Sequence, residues 1–368
     1  MRNEPLSMAS ILAILVLAAC SAGGSSTPII RVTFAAPSAT PTATSLPPTP
    51  TRTATPAPTR TQTPIPQVSL EAVGDIMLGR TVGDQVLAKG APVVFDGVNS
   101  VLSEADVLVG NLECAITASD QTAHKSFTLK APPETAWALA LAGFDVLGLA
   151  NNHAMDYGVG GLTDTQTALS QYGILTAGAG LNAAAAHAPV IIERNGLRLA
   201  FLAYADVMPE NSGFDAHNWV ATPSQPGIAW ADPAEIKADV TAAKLQADLV
   251  IVLLHSGYEL NSTVSLDQRT QAQAAVDAGA VLVIGSHPHI LQAIERYHDG
   301  LIAYSLGNFV FDQYKGVLNA TIILRVQLDR SGLVSYDYVP VLIENGLPFI
   351  TPIDNVRGIQ TLVAPPSP

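Results

Sequence analysis

Six times along the chain a short apolar run, of the kind that forms a buried strand, ends on a residue type that binds metal or phosphate. The runs cover residues 68–73, 107–109, 146–150, 249–254, 281–284 and 301–306. They lead into Gly74-Asp75, Gly110-Asn111-Leu112-Glu113, Asn151-Asn152-His153, His255, Gly285-Ser286-His287-Pro288-His289 and Gly307-Asn308. Near-continuous apolar strands are covered on both faces, and open α/β sheets bind ligands beyond the carboxyl ends of their strands. One shared site is the economical expectation.

Helical stretches alternate with these runs. The pattern predicts helices at 132–141, entered through proline and closed by Gly143, at 163–172, at 234–245 behind the cap Asp232-Pro233, and at 268–278, stopped by Gly279. Three hairpins are expected as well: 189–193 with 197–204 about Asn195-Gly196, 290–297 with 301–304 about Asp299-Gly300, and 320–328 with 333–339 about Arg330-Ser331-Gly332. Such a mixture predicts an α/β fold of two packed mixed sheets with helices outside.

The amino-terminal segment follows different rules. Residues 11–19 are continuously apolar but too few to span a bilayer, and Leu17-Ala18-Ala19-Cys20 resembles the lipobox of bacterial lipoproteins. Residues 1–20 are therefore expected to be a signal peptide with lipidation of Cys20; an ordinary secretion signal or an uncleaved anchor is the alternative. Residues 21–66 are dominated by Thr, Pro, Ser and Ala, a composition with too little to bury, and are expected to be a disordered tether open to O-glycosylation. At about 3.1 Å per residue it would reach on the order of 100 Å. The expected placement is extracytoplasmic, on the cell membrane through a lipid anchor, with one α/β domain at 67–368.

Charge and cysteine content narrow the partners. A formal net charge of -13 argues against nucleic acid and against electrostatic adhesion to anionic lipid. Of the two cysteines, Cys20 is assigned to lipidation, so Cys114 has no intramolecular partner and stability must come from the core. Cys114 reads as a small buried hydrophobe, with a soft metal ligand as the other reading.

The candidate chemistry sits at the run ends. In His287-Pro288-His289 a proline fixes the backbone between two imidazoles, which suits either one metal-binding cavity or two surface loop histidines. His255 leaves a fully apolar run, and Asp75, Glu113 and His153 arise by the same strand-end logic. Carboxylate, imidazole and amide oxygen together form a ligand set for one or two divalent cations, Mn, Zn, Fe or Mg, able to clamp a phosphoryl group. In Asn151-Asn152-His153 an amide can ligate while the histidine acts as general acid; one asparagine can instead cap the turn at Asp156-Tyr157-Gly158. Asp75 could also cap a helix starting near Met77.

Taken in order, Gly74-Asp75-Ile76-Met77-Leu78, Asn111-Leu112-Glu113, Ala131-Pro132-Pro133-Glu134, Ala142-Gly143-Phe144-Asp145-Val146, Ala150 to His153 with Asp156-Tyr157-Gly158, His287-Pro288-His289 and Tyr304-Ser305-Leu306-Gly307-Asn308-Phe309 closely resemble the capsule-synthesis protein CapA family. The resemblance runs from about residue 68 to 313. It implies a four-layer α/β/β/α sandwich of two mixed sheets, of the calcineurin-like metallophosphoesterase type, and a role in poly-γ-glutamate capsule synthesis or export at the membrane. By motif, Asp75 resembles the first metal ligand, Asn111 or Glu113 the bridging position, Asn152 the amide ligand and His153 the catalytic acid. His255, His287 and His289 match the remaining imidazole ligands.

Asn151, Lys130, Glu259 and Asn308 are expected on the substrate side, with Lys125, Lys130 and Arg80 near the rim to offset the acidic balance. The chain departs from the pattern at Met77, where classical phosphoesterases carry a histidine, at Ser256 and Leu260, where many CapA relatives have aromatic residues, and at Ser286, where they have a second histidine. Two functions are in view: a metal-dependent hydrolase acting on a phosphate ester or an extracellular polymer, or a non-catalytic lipoprotein that holds the anionic polymer for a membrane synthase. A plain solute-binding lipoprotein is a third.

Overall fold

The computed structural model of the protein describes residues 65–312 and 317–355. The expected signal peptide, Cys20 and nearly all of the tether lie outside the described residues. In chain order the main elements are β1 (Gln67–Ile76), α1 (Arg80–Lys89), β2 (Val107–Leu112), α2 (Thr135–Ala142), β3 (Val146–Gly148), α3 (Gly158–Ser170), β4 (Leu175–Ala177), β5 (Val190–Arg194), β6 (Leu197–Val207) and α4 (Pro233–Ala243). Then follow β7 (Leu249–Gly257), α5 (Leu266–Ala278), β8 (Leu282–Ser286), β9 (Ile294–Tyr297), β10 (Gly300–Ala303), β11 (Asn308–Val310), β12 (Ala320–Asp329), β13 (Gly332–Glu344) and β14 (Leu347–Ile350).

These strands make two mixed sheets. The first has the order β14-β13-β12-β1-β2-β3-β4, with β11 pairing the end of β1. β1 through β4 run parallel and β12 through β14 antiparallel. The second has the order β9-β10-β8-β7-β6-β5, parallel in its centre and antiparallel at both edges.

Alternation along the second sheet shows how the layers stack. Leu199, Phe201, Ile251, Leu253 and Ile284 join the same core as Leu70, Val109 and Leu147 of the first sheet. Their neighbours Ala200, Leu202, Tyr204, Val250, Val252 and Leu254 pack instead with Ile236, Val240, Ala272 and Val276 of α4 and α5. Side chains one residue apart face opposite sides of a strand, so this sheet lies between the first sheet and a helical layer. Leu139 of α2 and Leu162 and Leu169 of α3 join the core with Val73 and Phe144. The expected α/β fold of mixed sheets with helices is thus observed. Each fully buried Leu or Ile contributes roughly 1.5–3 kcal/mol of transfer free energy.

Local signals hold in detail at several ends. Asp232 Oδ1 accepts from Ala234 N at 2.8 Å and Glu235 N at 3.2 Å, capping α4. Ser265 and Gln268 form a capping box at the start of α5, and Gly279 ends that helix in the left-handed region. Asn195 and Gly196, at φ 52° and 77°, make the expected turn between β5 and β6.

Other ends moved. Pairing of Tyr297 with Gly300 makes His298-Asp299 the two-residue loop, one position earlier than expected, and pairing of Asp329 with Gly332 shortens the expected Arg330-Ser331-Gly332 loop to Arg330-Ser331. A fourth hairpin at Asn345-Gly346, with φ 52° and 86°, was not anticipated, and helix α1 starts at Arg80, three residues after the alternative start near Met77. α3 begins at Gly158, five residues ahead of the expected start. Helix α1 is capped by Gly79, so Asp75 is not a helix cap. Among the described residues no helix is long and apolar enough to cross a membrane.

Candidate metal centre

Three parallel strands of the first sheet and two of the second deliver the expected residues to one place. Strand register sets Asp75 beside Asn111 of β2 and beside Asn308 of β11. Gly74 permits this, because a Cβ there would lie 1.8 Å from the Gly307 carbonyl oxygen. In the second sheet His255 lies beside Ser286, one residue before His287. Asp75, Asn111 and His255 thus lie within the carboxyl ends of their strands and not in the loops that follow, which ties them to sheet geometry.

Around Glu113 the arrangement is most telling. His289 Nε2 lies 3.7 Å, and the Nε2 atoms of His153 and His255 each 3.9 Å, from Glu113 Oε1. Glu113 is fully buried, yet neither of its oxygens has a hydrogen-bond partner. A buried carboxylate without partners costs roughly 1–3 kcal/mol or more, so such an atom calls for an explanation. Ligand atoms of Asp75, Glu113 and His255 all lie within 4.8 Å of one another, as do those of Glu259, His287 and His289. Carboxylate oxygens and neutral imidazoles in this number fit a divalent cation such as Mn, Zn or Fe.

Amide side chains hold the set in place. Asn111 Nδ2 donates to Asp75 Oδ1 at 2.8 Å and lies 3.2 Å from His255 Nδ1, while its own oxygen accepts from Asn151 Nδ2 at 3.0 Å. Both ends of Asn111 are thus engaged, whereas the Glu113 oxygens are not. His255 Nε2 lies 2.9 Å from Asn152 Oδ1, and in the tautomer with the ring proton on Nδ1 both atoms would be free to turn toward one cation. Ser286 Oγ holds the other ring nitrogen at 2.9 Å. The His287 amide donates to Asp75 Oδ2 at 3.2 Å, and His289 Nδ1 lies 2.9 Å from Asn308 Oδ1.

Two of the expected substrate contacts are therefore supports. Asn151 bonds Asn111, the Leu112 carbonyl and the His153 amide, two residues on, and not the turn at Asp156-Tyr157-Gly158. Asn308 orients His289. Lys130 directs its ammonium to the Ser119 carbonyl and to Asp120, and Arg80 pairs with Asp312 and covers the Phe311 ring. Cys114 is buried, takes a bond from Leu78 N, and has its thiol pushed up to about 12 by burial. It belongs to neither ligand group.

Lys125, expected at the rim, is wholly enclosed. Its ammonium lies 2.7 Å from the Asn152 carbonyl, 3.0 Å from Asp156 Oδ1 and 3.1 Å from Glu210 Oε1, under the rings of Phe214 and Trp219. Asp156 in turn accepts from His153 Nδ1 at 2.6 Å. The three-residue spacing of His153 and Asp156 could have flagged this pair; nothing local marks Lys125 or Glu210, which meet only in space.

Ionisation follows from this crowding. Burial, then the Asp75 charge, lifts Glu113 well above the usual carboxylate range. Burial opposes ionisation of Asp75 too, but the hydrogen bond and charge of His289 and the charge of His255 outweigh it and hold Asp75 low. Burial drops His255 to about 3 and depresses His287 and His153 as well. His289 rises to about 10, since Glu113 and Asp75 together overcome its burial. At neutral pH three of the four imidazoles are therefore neutral, the form that ligates metal.

The family model of bacterial capsule synthesis protein PGA_cap matches residues 69–313. The chain is 37% identical to the capsule biosynthesis protein CapA of Bacillus anthracis over 77% of its own length and 69% of the relative's. It is 34% identical to the PGA biosynthesis protein CapA of Bacillus subtilis (strain 168), covering 79% and 75% of the two chains. A hypothetical protein from Thermus thermophilus superposes with a TM-score of 0.46 at 15% identity, covering 74% of this chain and 98% of that one.

Proposed function

The chain belongs to the bacterial capsule synthesis protein family, and on that premise we propose that it serves poly-γ-glutamate synthesis or export at the outer face of the cell membrane, anchored through Cys20, with a metal-dependent phosphoesterase-like site. The single observation that carries the site is Glu113: buried, without a hydrogen-bond partner, and ringed by three imidazole nitrogens.

A divalent cation held by Asp75, Glu113 and His255, with Asn152 beside them, would polarise a phosphoryl or carbonyl oxygen and lower the pKa of water there. The chain's own residues supply the rest. Asp156 holds the Nδ1 proton of His153 and leaves Nε2 free on the Glu113 side, where it can accept a proton and then return it to a leaving group. Lys125 fixes Asp156 and so the ring's orientation. Asn111, Asn151 and Asn308 keep the ligands from turning.

Metal analysis of the purified full chain, with an assay on an activated phosphodiester and on polyglutamate, tests this. Bound divalent metal with turnover lost in His153→Ala is expected; metal-free protein with no turnover after loading would remove the reading. A second reading is favoured by Met77, whose sulfur is buried and takes a bond from Gly79 N at 3.1 Å at the position where classical phosphoesterases carry a histidine. On that reading the cation centre binds the anionic polymer for a membrane synthase without cleaving it, and polymer binding persists in His153→Ala.

A further inference from the structure

We propose that a cleft on the face of the first sheet turned away from the second binds a small aliphatic amine, its ammonium group held between Glu71 and Glu104. Leu70, Ala72, Leu324 and Val326 join the core, so Glu71 of β1 and Arg325 of β12 point to the other side of the sheet. Register sets Glu71 beside Arg325 and Arg325 beside Asp337 of β13; in the next row Ser69 lies beside Gln327 and Gln327 beside Ser335. These two rows, with Glu104 from the segment leading into β2, line a cavity of about 180 Å3. It is separate from the ligand cluster, which gathers at the carboxyl end of β1.

Glu71 is the observation that calls for a ligand. It is only 3% exposed, and its Oε2 has no hydrogen-bond partner. A partner stands directly across the strands in Arg325, whose Nε donates instead to Asp337 Oδ1 at 2.5 Å. The Glu104 carboxylate likewise has no hydrogen-bond or ion-pair partner among the described residues. Buried carboxylates are as a rule paired or bound to a cation. With Glu71 ionised, three carboxylates, Glu71, Glu104 and Asp337, face the one guanidinium of Arg325, which leaves the cleft two negative charges in excess.

Size and charge select the class of ligand. A water molecule takes about 30 Å3 of the liquid, so the cleft has room for a group of several heavy atoms. An anion is repelled by the excess of carboxylates. A divalent cation such as calcium needs six or more oxygens at about 2.3–2.6 Å, and here Arg325 stands between Glu71 and Asp337 and opposes a double charge. An ammonium group needs only acceptors, which Glu71, Glu104, the Gln327 amide and the Ser335 hydroxyl supply, and the remaining volume takes a short carbon chain.

Calorimetric titration of the full chain with 1,4-diaminobutane, with 1,4-butanediol as the neutral control, tests the site. At pH 8 the chain is expected to bind the diamine saturably and the diol not at all. Binding requires ionised Glu71, whose carboxyl is raised to about 7 by burial, against the pull of Arg325 and with the charges of Glu104 and Asp337 adding to the rise. Affinity is therefore expected to fall about 30-fold from pH 8 to pH 5.5, in step with the ionised fraction. Glu71→Gln, checked for a cooperative melt, is expected to lose about tenfold or more in affinity at pH 8, and Glu104→Gln several-fold. Absence of saturable heat with millimolar diamine, equal affinity in Glu71→Gln, or equal affinity at the two pH values would overturn the site, and displacement of the diamine by equimolar Ca2+ would overturn the class of ligand.

Discussion

His153 presents Nδ1 to Asp156 Oδ2 at 2.6 Å, and the pair is sealed from solvent by the Lys125 ammonium on the opposite carboxylate oxygen. The geometry fixes which ring nitrogen faces the ligand cluster. Asp156→Asn keeps the volume but cannot favour the Nδ1 proton, so metal-dependent turnover should fall by about 10²-fold with bound metal unchanged. Steady-state rates and metal content of the variant check this; unchanged turnover would remove Asp156 from the mechanism.

Lys125 tests the same cluster through stability. Its side chain is fully buried and neutralises Asp156 and Glu210. Lys125→Met leaves those carboxylates without their partner, a change that typically costs about 3–5 kcal/mol for a buried pair. A lowered urea midpoint is expected, with partial recovery in the double variant Lys125→Met, Asp156→Asn.

Glu113 should show the opposite sign. Its two oxygens are buried without partners and its proton is held well above the ordinary range by burial and Asp75. Glu113→Gln keeps a neutral side chain there without the cost of holding that proton, so the metal-free protein should gain on the order of 1 kcal/mol at neutral pH, while the gain in melting temperature on adding Mn2+ should vanish. A variant less stable than the parent in chelator, yet still stabilised by Mn2+, would count against the site.

Much of this was legible because strand ends are local. The apolar runs leading to Asp75, His255 and His287 announced buried parallel strands, and one edge of one sandwich then had to receive all of them. What was not legible is long-range. Asn151, Asn308 and Lys130 look like ligand-facing residues by neighbourhood, and only the cross-sheet hydrogen bonds show two of them to be supports and the third turned toward Asp120. Lys125 lies in a polar loop whose composition predicts exposure, and it is buried by Phe214 and Trp219, nearly 90 positions on. Turn residues misled by one position because both Asp299-Gly300 and His298-Asp299 satisfy the local chemistry, and pairing register decides between them.

Cys20 carries the proposed anchor. Cys20→Ala should leave the folded domain unchanged and move the protein from the membrane fraction to the medium or the soluble extracytoplasmic fraction. Retention in the membrane fraction after salt and carbonate washing would show that something other than a lipid on Cys20 holds it.

Glu71, far from the ligand cluster, should give the domain a pH dependence of its own. It lies on β1 opposite Arg325, which prefers Asp337 at 2.5 Å and leaves Glu71 Oε2 without a partner. Burial raises its pKa from 4.5 to about 7, with Arg325 opposing and Glu104 and Asp337 adding to the rise. The folded chain therefore holds a proton that the unfolded chain releases near 4.5, so this stabilisation is complete below that pH and is lost as pH climbs through 7. Glu71→Gln mimics the protonated form at every pH. After discounting for solvent screening, the variant should be more stable than the parent by about 1 kcal/mol at pH 8 and by almost nothing at pH 4.5. Thermal melts of both proteins at the two pH values decide the matter, and an equal difference at both would mean that Glu71 titrates in the folded chain as it does in the unfolded one.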